Sequence, residues 1–369
     1  MFFNLVCSLL TRLPFGAFIE GAGVDANGIM YFTHANNETG TIGDLNGHLY
    51  SSNASLQFNG IKFVNDKEFY AVEVNENKIY YYKNGFTAYC EHPMGRNGMS
   101  NDIALVDDIV YVSGQRYRAN TTIGDGELWM CKNGHASVID RLGRTNGIAI
   151  TPNKEYLYLS EAFNENFTPI SNKIYKYKIV NNTLESKVLA IDFELVDQSQ
   201  GTDIDGIRFD VDGKLYVTRN GLSKISVFKD DVFVKNIPVS FQFPANLEIV
   251  HNKLFVAGRC GKEYGIGPGC LDIIDVDAEG AVYSSLRQTM LKSTSYYDKN
   301  ADSYKPLIIG ISIALFFLII LIVVFVRRSF IFRRVVRRQT TKMESNESYS
   351  NEETLLPYVP KLRQPPRTT

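Results

Sequence analysis

Glu20, Asn59, Asn101, Asn146 and Asp205 are the residues whose types and spacing could do chemistry together. Each opens a run of one design. A polar residue, often followed by Gly, leads an aliphatic residue, an alternating stretch with a turn, and a second run containing Tyr or Phe. The copies read EGAGVDANGIMYFTH from Glu20, NGIKFVNDKEFYAVE from Asn59, NDIALVDDIVYVSG from Asn101, NGIAITPNKEYLYLSE from Asn146 and DGIRFDVDGKLYVTR from Asp205. Brought round one axis, these openers present carboxylate and amide oxygens to a common point. Hard oxygen donors carrying two formal negative charges suit Ca²⁺, or another divalent cation of similar taste. No His or Cys stands at an opening position, so the preferred ligands of zinc are missing. Singly, an Asn or Asp before a strand simply makes a turn; the set as a whole favours the cation.

A ring of openers needs elements to carry it. A weaker sixth copy, ANLEIVHNKLFVAG, starts at Ala245, and most copies are followed by two further strand-like runs, such as KIYYYKNGFTAYC and SKISVFKDDVFVKNI. Four strands in each of six copies predict a six-bladed β-propeller, because one such sheet cannot bury both faces whereas a closed ring can. The fold class is therefore all-β, with the propeller over 17–290 and an inserted loop near 164–172. A β-sandwich would need no such period.

The runs FIEGAGVDANGIMYFTH, SNDIALVDD, TNGIAITPNKEYLYLSEA and DGIRFDVDGKLYV resemble the senescence marker protein/gluconolactonase family over roughly residues 17–285. The resemblance implies a Ca²⁺-dependent hydrolase of lactones or related esters. It places metal ligands on Glu20, Asn101 (directly or through water), Asn146 and Asp205, with Asp205 also the catalytic base or nucleophile. One departure bears on substrate: where sugar-lactone hydrolases of the family carry an Arg, two residues before the blade-three Asn, this chain has Met99. Residues at the ends of second strands should face the same mouth, so His34, Arg116, Glu161 and Arg219 are candidates for the substrate pocket, with Glu73, Gln115 and Arg259 at like positions. The alternative function is a non-catalytic binding or adhesion propeller with a structural Ca²⁺. A metal-free condensing propeller of the strictosidine-synthase kind fits the oxygen ring less well.

The rest of the chain sets the compartment. Leu307–Val326 runs without a charge, and a helix of that length spans about 30 Å, the thickness of a bilayer core. The predicted transmembrane helix, over 306–326, is followed at once by Arg327 and Arg328, which puts the C-terminus in the cytoplasm and the propeller outside the cell or in a lumen. Residues 327–369 carry ten Lys/Arg against four Glu, so the remainder of a chain of net charge −1 is acidic; that excludes nucleic acid as an expected partner of the propeller. This basic tail reads as disordered, and 291–305 as a stalk. Residues 1–16 read as a signal peptide or, alternatively, an edge strand. Sequons before the span make Asn37, Asn53, Asn120, Asn166 and Asn181 glycosylation candidates. Four ectodomain cysteines permit two disulfides. Cys260 and Cys270 flank a Gly-rich stretch and form the local pair, leaving Cys90 with Cys131; buried thiols are the other reading.

Overall fold

Alternating apolar residues and Asp-led turns fold each copy into a hairpin. Asp25 Oδ1 accepts from the backbone N–H groups of Asn27 and Ile29 at 2.9 and 2.8 Å. Asp44 does the same for Asn46 and His48, at 2.9 and 2.7 Å. Asp210 holds Lys214 N at 2.8 Å, and Gly213 between them takes the φ of +76° that the turn requires. The computed structural model describes residues 19–34, 41–51, 56–197, 202–261 and 268–344. The segment read as a signal peptide or edge strand lies outside them, as do Asn37 and Asn53.

Six antiparallel meanders result, five of four strands and the last, among the described residues, of three. Their inner strands are Ile19–Val24, Phe58–Phe63, Ile103–Val106, Arg144–Ile150, Asp203–Phe209 and Phe243–Val250. Each touches the next in chain order, and the sixth touches the first, so the ring closes into a six-bladed propeller. Apolar side chains fill the wedges between blades. Tyr216, Ile225 and Val227 of blade five pack with Leu247, Leu254 and Val256 of blade six. Cys90 of blade two is bonded to Cys131 of blade three, and Cys260 to Cys270 within blade six, so both expected pairings are present.

The openers owe their aim to β-bulges. Inner and second strands shift register between Ile19 and Ala22, Phe58 and Ile61, Thr145 and Ile148, and Ile204 and Ile207. The extra residues there are Glu20, Asn59, Asn146, Asp205 and the glycines after them; a bulge of this kind turns a side chain away from the ordinary alternation. The glycines let neighbouring strands close up. A Cβ on Gly21 would lie 2.0 Å from Asn59 O, and one on Gly147 2.2 Å from Asp205 O.

One layer further along the axis lies a buried ion-pair network. Lys62 Nζ is 3.0 Å from Glu248 Oε2, and Arg208 reaches Asp102 at 3.0 Å and the same Glu248 oxygen at 3.3 Å. All four side chains are at most 5% exposed. Lys62, Arg208 and Glu248 each stand three residues after the first position of their copy, an odd spacing for which the extra residue of the bulge accounts, since unbroken alternation has a period of two.

Two helices complete the chain. α1 (Phe193–Val196) is a single turn capped by Asp192. α2 (Ala281–Glu344) is long, and the chain divides after Thr294 into two units. α2 includes the expected stalk and residues 327–344 of the expected disordered tail. No Gly or Pro falls between Gly310 and Pro357, and Lys, Arg, Gln and Met all favour helix. Within α2, Ser312–Arg334 is long and apolar enough to cross a membrane.

Candidate active site at the propeller hub

Four of the five openers line a cavity of about 270 Å³ at one mouth of the ring. Glu20, Asn59, Asn146 and Asp205 form part of its wall, with Arg144, Asp203, Arg259, Gln115 and Tyr117 beside them. Asn101 is not in that wall. Its copy has Asp102 in place of the glycine, and the inner strand of blade three begins only at Ile103, after the opener. Asn101 instead joins backbones, donating N–H to Ser113 O at 2.7 Å and accepting from Gly60 N at 2.9 Å. The structure thus gathers three of the four residues proposed as ligands and adds Asn59.

Burial leaves oxygens at this wall unused. Glu20 Oε2, Asn59 Oδ1, Asp205 Oδ1 and Asn220 Oδ1 are shielded from solvent and have no hydrogen-bond partner. The other Asp205 oxygen, Oδ2, accepts from Asn220 Nδ2 at 2.9 Å. Desolvation is the main reason that the Glu20 carboxyl holds its proton well above the usual carboxylate range. Asp205 and Asp102 push the same way, while Arg259 and Asn59 oppose. Asp205 is pushed up to about 7, by burial first and Asp203 second, against Asn220 and Arg259. Two buried carboxylates that resist ionisation while offering idle oxygens are what a bound cation would relieve. Among the described residues no group of three or more His, Cys, Asp or Glu side chains has metal-holding geometry. The idle oxygens at the wall belong to two carboxylates and to amides, hard donors that fit Ca²⁺ better than a softer metal.

The mouth is shaped by residues of blade four. Arg144 bonds both oxygens of Asp203 at 2.8 and 2.7 Å, Asn164 Oδ1 at 3.0 Å and Gln115 Oε1 at 3.0 Å. Its guanidinium lies 4.9 Å from the centre of the Tyr117 ring. The loop that follows Tyr117 is tied to blade four, with Thr121 N on Asn164 O at 3.0 Å and Phe167 N on Ala119 O at 2.9 Å. Of that loop, Tyr117 lines the cavity.

Of the substrate-pocket candidates, Arg116, Glu161 and Arg219 do not line this cavity, and two residues at like positions do. Arg116 is bonded to Asn97 O, outside the wall. Glu161 accepts from Gly143 N at 2.7 Å, and Arg219 pairs with Asp197 at 2.8 Å over the Phe193 ring. His34 ends its strand, but its side chain lies outside the described residues. Glu73 organises a turn by accepting from Asn75 and Glu76. Gln115 and Arg259, at like strand ends, do line the cavity. Arg144 was not singled out from sequence, although a signal was present. It stands two residues before the Asn of blade four, one blade on from the position where Met99 replaces the family's Arg.

Among solved structures, the luciferin-regenerating enzyme superposes with a TM-score of 0.58 at 12% identity, over 72% of this chain and 93% of its own. Regucalcin of Agrobacterium tumefaciens, described as a calcium-binding protein, gives 0.56 at 14% identity over 71% and 92%. A gluconolactonase of Xanthomonas campestris gives 0.54 at 15% over 73% and 88%. At these identities the likeness is one of fold. No curated protein matches the sequence. The sequence itself matches the SMP-30/Gluconolactonase/LRE-like region over residues 20–257, well over half of the chain, and the chain therefore belongs to that family.

Proposed function

We propose that the chain is a membrane-anchored, Ca²⁺-dependent hydrolase of lactones or related esters, working at the hub cavity. Family membership supports a lactonase-type hydrolase at the family level. The observation that carries the finer reading is the pair of buried, proton-retaining carboxylates, Glu20 and Asp205, each with an idle oxygen at the cavity. Glu20, Asn146 and Asp205, with Asn59, would hold the ion; Asn101 would contribute through water. When bound, the ion supplies Lewis acidity toward the acyl oxygen of a substrate.

The chain's own groups do the rest. Asn220 fixes one oxygen of Asp205; the other has two lone pairs, and the one not turned to the ion would take a proton from attacking water as the water oxygen bonds to the acyl carbon. The acyl–oxygen bond of the ester then breaks, and the same proton passes from Asp205 to the departing alkoxide. A carboxylate held beside the substrate can make both transfers. Arg144, held on three sides, and Arg259 add positive charge at the wall for the developing oxyanion.

The test uses the purified full chain with a panel of lactones, aryl esters and phosphotriesters, in Ca²⁺ and after its removal. Turnover should require Ca²⁺, and Asp205→Asn should lower kcat by ~10²–10⁴-fold. Undiminished turnover in that variant would remove Asp205 from the chemistry. A Ca²⁺-dependent rise in Tm with no turnover of any substrate would make the ion structural and the protein a binding propeller.

A further inference from the structure

The opposite mouth of the ring holds a second cavity, of about 370 Å³, which the hydrolase reading does not use. Sites for small molecules begin at about 300 Å³. Leu105, Ile148, Ile150 and Phe209 of the propeller and Val282 and Leu286 of the first turns of α2 give it mainly apolar walls. Its inner end is different. There Lys62 and Arg208 line the cavity from the ion-pair network that separates it from the hub site.

The two cations at that end are not alike. Arg208 is engaged all round, with Asp102, Glu248 and the carbonyls of Ile148 and Ile207. Lys62 has three N–H donors, and among the described residues one acceptor, Glu248 Oε2 at 3.0 Å. The ammonium is buried, and desolvation followed by the neighbouring Arg208 lowers its hold on its proton. Donors left unmet inside a protein are costly. The network also sums to zero charge, two cations against two carboxylates. A carboxylate entering beside it would bury an unbalanced charge, and a bare hydrocarbon would leave the Lys62 donors as they are.

We infer that this lower cavity is a second small-molecule site, for an uncharged, mainly apolar molecule bearing one hydrogen-bond acceptor, such as an alkyl or aryl ketone, alcohol or ester, received by Lys62 Nζ. It is independent of the hub site and of any hydrolysis there. The probe is 2-octanone, with octanoate as the charged counterpart of equal length. Uptake is measured by equilibrium dialysis against the full chain in lipid nanodiscs, with empty nanodiscs as blank. Wild-type chain takes up one ketone per chain saturably, and octanoate binds at least ~10-fold more weakly, a difference of about 1.4 kcal/mol. Lys62→Met weakens the ketone ~10-fold or more. Ala149→Phe fills the cavity from the inner strand of blade four, and Thr289→Trp, at the exposed rim, blocks entry without touching the core; both abolish uptake. Asp205→Asn leaves uptake unchanged. Uptake no greater than in empty discs would overturn the site. So would saturable uptake that survives both Ala149→Phe and Thr289→Trp, and octanoate binding as tightly as the ketone would overturn its chemistry.

Discussion

At the scale of single residues, Asp205 has one oxygen tied and one idle. Asn220 holds Oδ2 at 2.9 Å, yet burial and Asp203 still raise the group from 3.8 to about 7. The linkage has a definite sign. The folded chain binds this proton more tightly than the unfolded chain does, so the associated stability is complete below about 3.8 and is lost as pH rises toward about 7. Glu20 acts in the same direction. Melting scans of metal-free protein should therefore show Tm falling between pH 5 and pH 8 on account of this pair. Asp205→Asn should flatten the fall and raise Tm at the upper end. On the proposed reading Ca²⁺ would bind the ionised pair, so its stabilisation should grow over the same interval as the proton ceases to compete. A Ca²⁺ effect equal at both ends of that range would disconnect these carboxylates from the ion.

At the scale of elements, the bulge and its glycine decide where a side chain points. Gly147 has no unusual φ; its role is space, because a Cβ there would meet the Asp205 carbonyl at 2.2 Å. Gly147→Ala must push blades four and five apart along the edge that holds Asn146 and Asp205. Overpacking of this sort costs about 1–3 kcal/mol, to be read as a lower midpoint in denaturant, and turnover should fall further than that loss of stability explains. Wild-type kinetics in a destabilised variant would show that the strands relax without disturbing the hub. The same elements explain what was legible in the sequence. Alternation, Asp-led turns and recurring openers name the strands and their number, because each rests on local chemistry. The place of Asn101 was not legible, since its copy reads like the others and only the folded cavity wall shows which openers line it. Arg144 was hidden for a similar reason: it sits at the head of an inner strand, whereas the candidates were sought at the ends of second strands. The unbroken course of α2 through residues rich in charge shows helix propensity outweighing a reading based on polarity alone.

At the scale of the whole molecule, the acidic propeller and the basic C-terminal segment belong on different sides of a membrane if Ser312–Arg334 spans one. Arg327, Arg328, Arg333, Arg334, Arg337 and Arg338 cluster at its C-terminal end, and charge of that sign is retained on the cytoplasmic side. The propeller would then mature in an oxidising lumen, where its two disulfides are stable, and its sequons would meet the glycosylation machinery. Asn120, Asn166 and Asn181 are all exposed. The first two are tied to each other, however, because Asn166 N donates to Asn120 Oδ1 at 3.0 Å. Asn181 sits at an exposed turn of blade four, so it should be modified most completely. Expressed in a secretory-competent cell, the full chain should resist extraction by alkaline carbonate and lose mass on treatment with an amidase that removes N-linked glycans. Asn181→Gln should remove the largest single step of that loss. Protease added to sealed vesicles should clip only a tail epitope placed after Arg338 and spare the propeller. An unglycosylated propeller that the protease reaches from outside the vesicles would place the hub cavity in the cytoplasm. Its carboxylates would then meet Ca²⁺ at cytosolic rather than luminal concentration, and the metal-dependent reading of Glu20 and Asp205 would need a far tighter site than two carboxylates and amide oxygens offer.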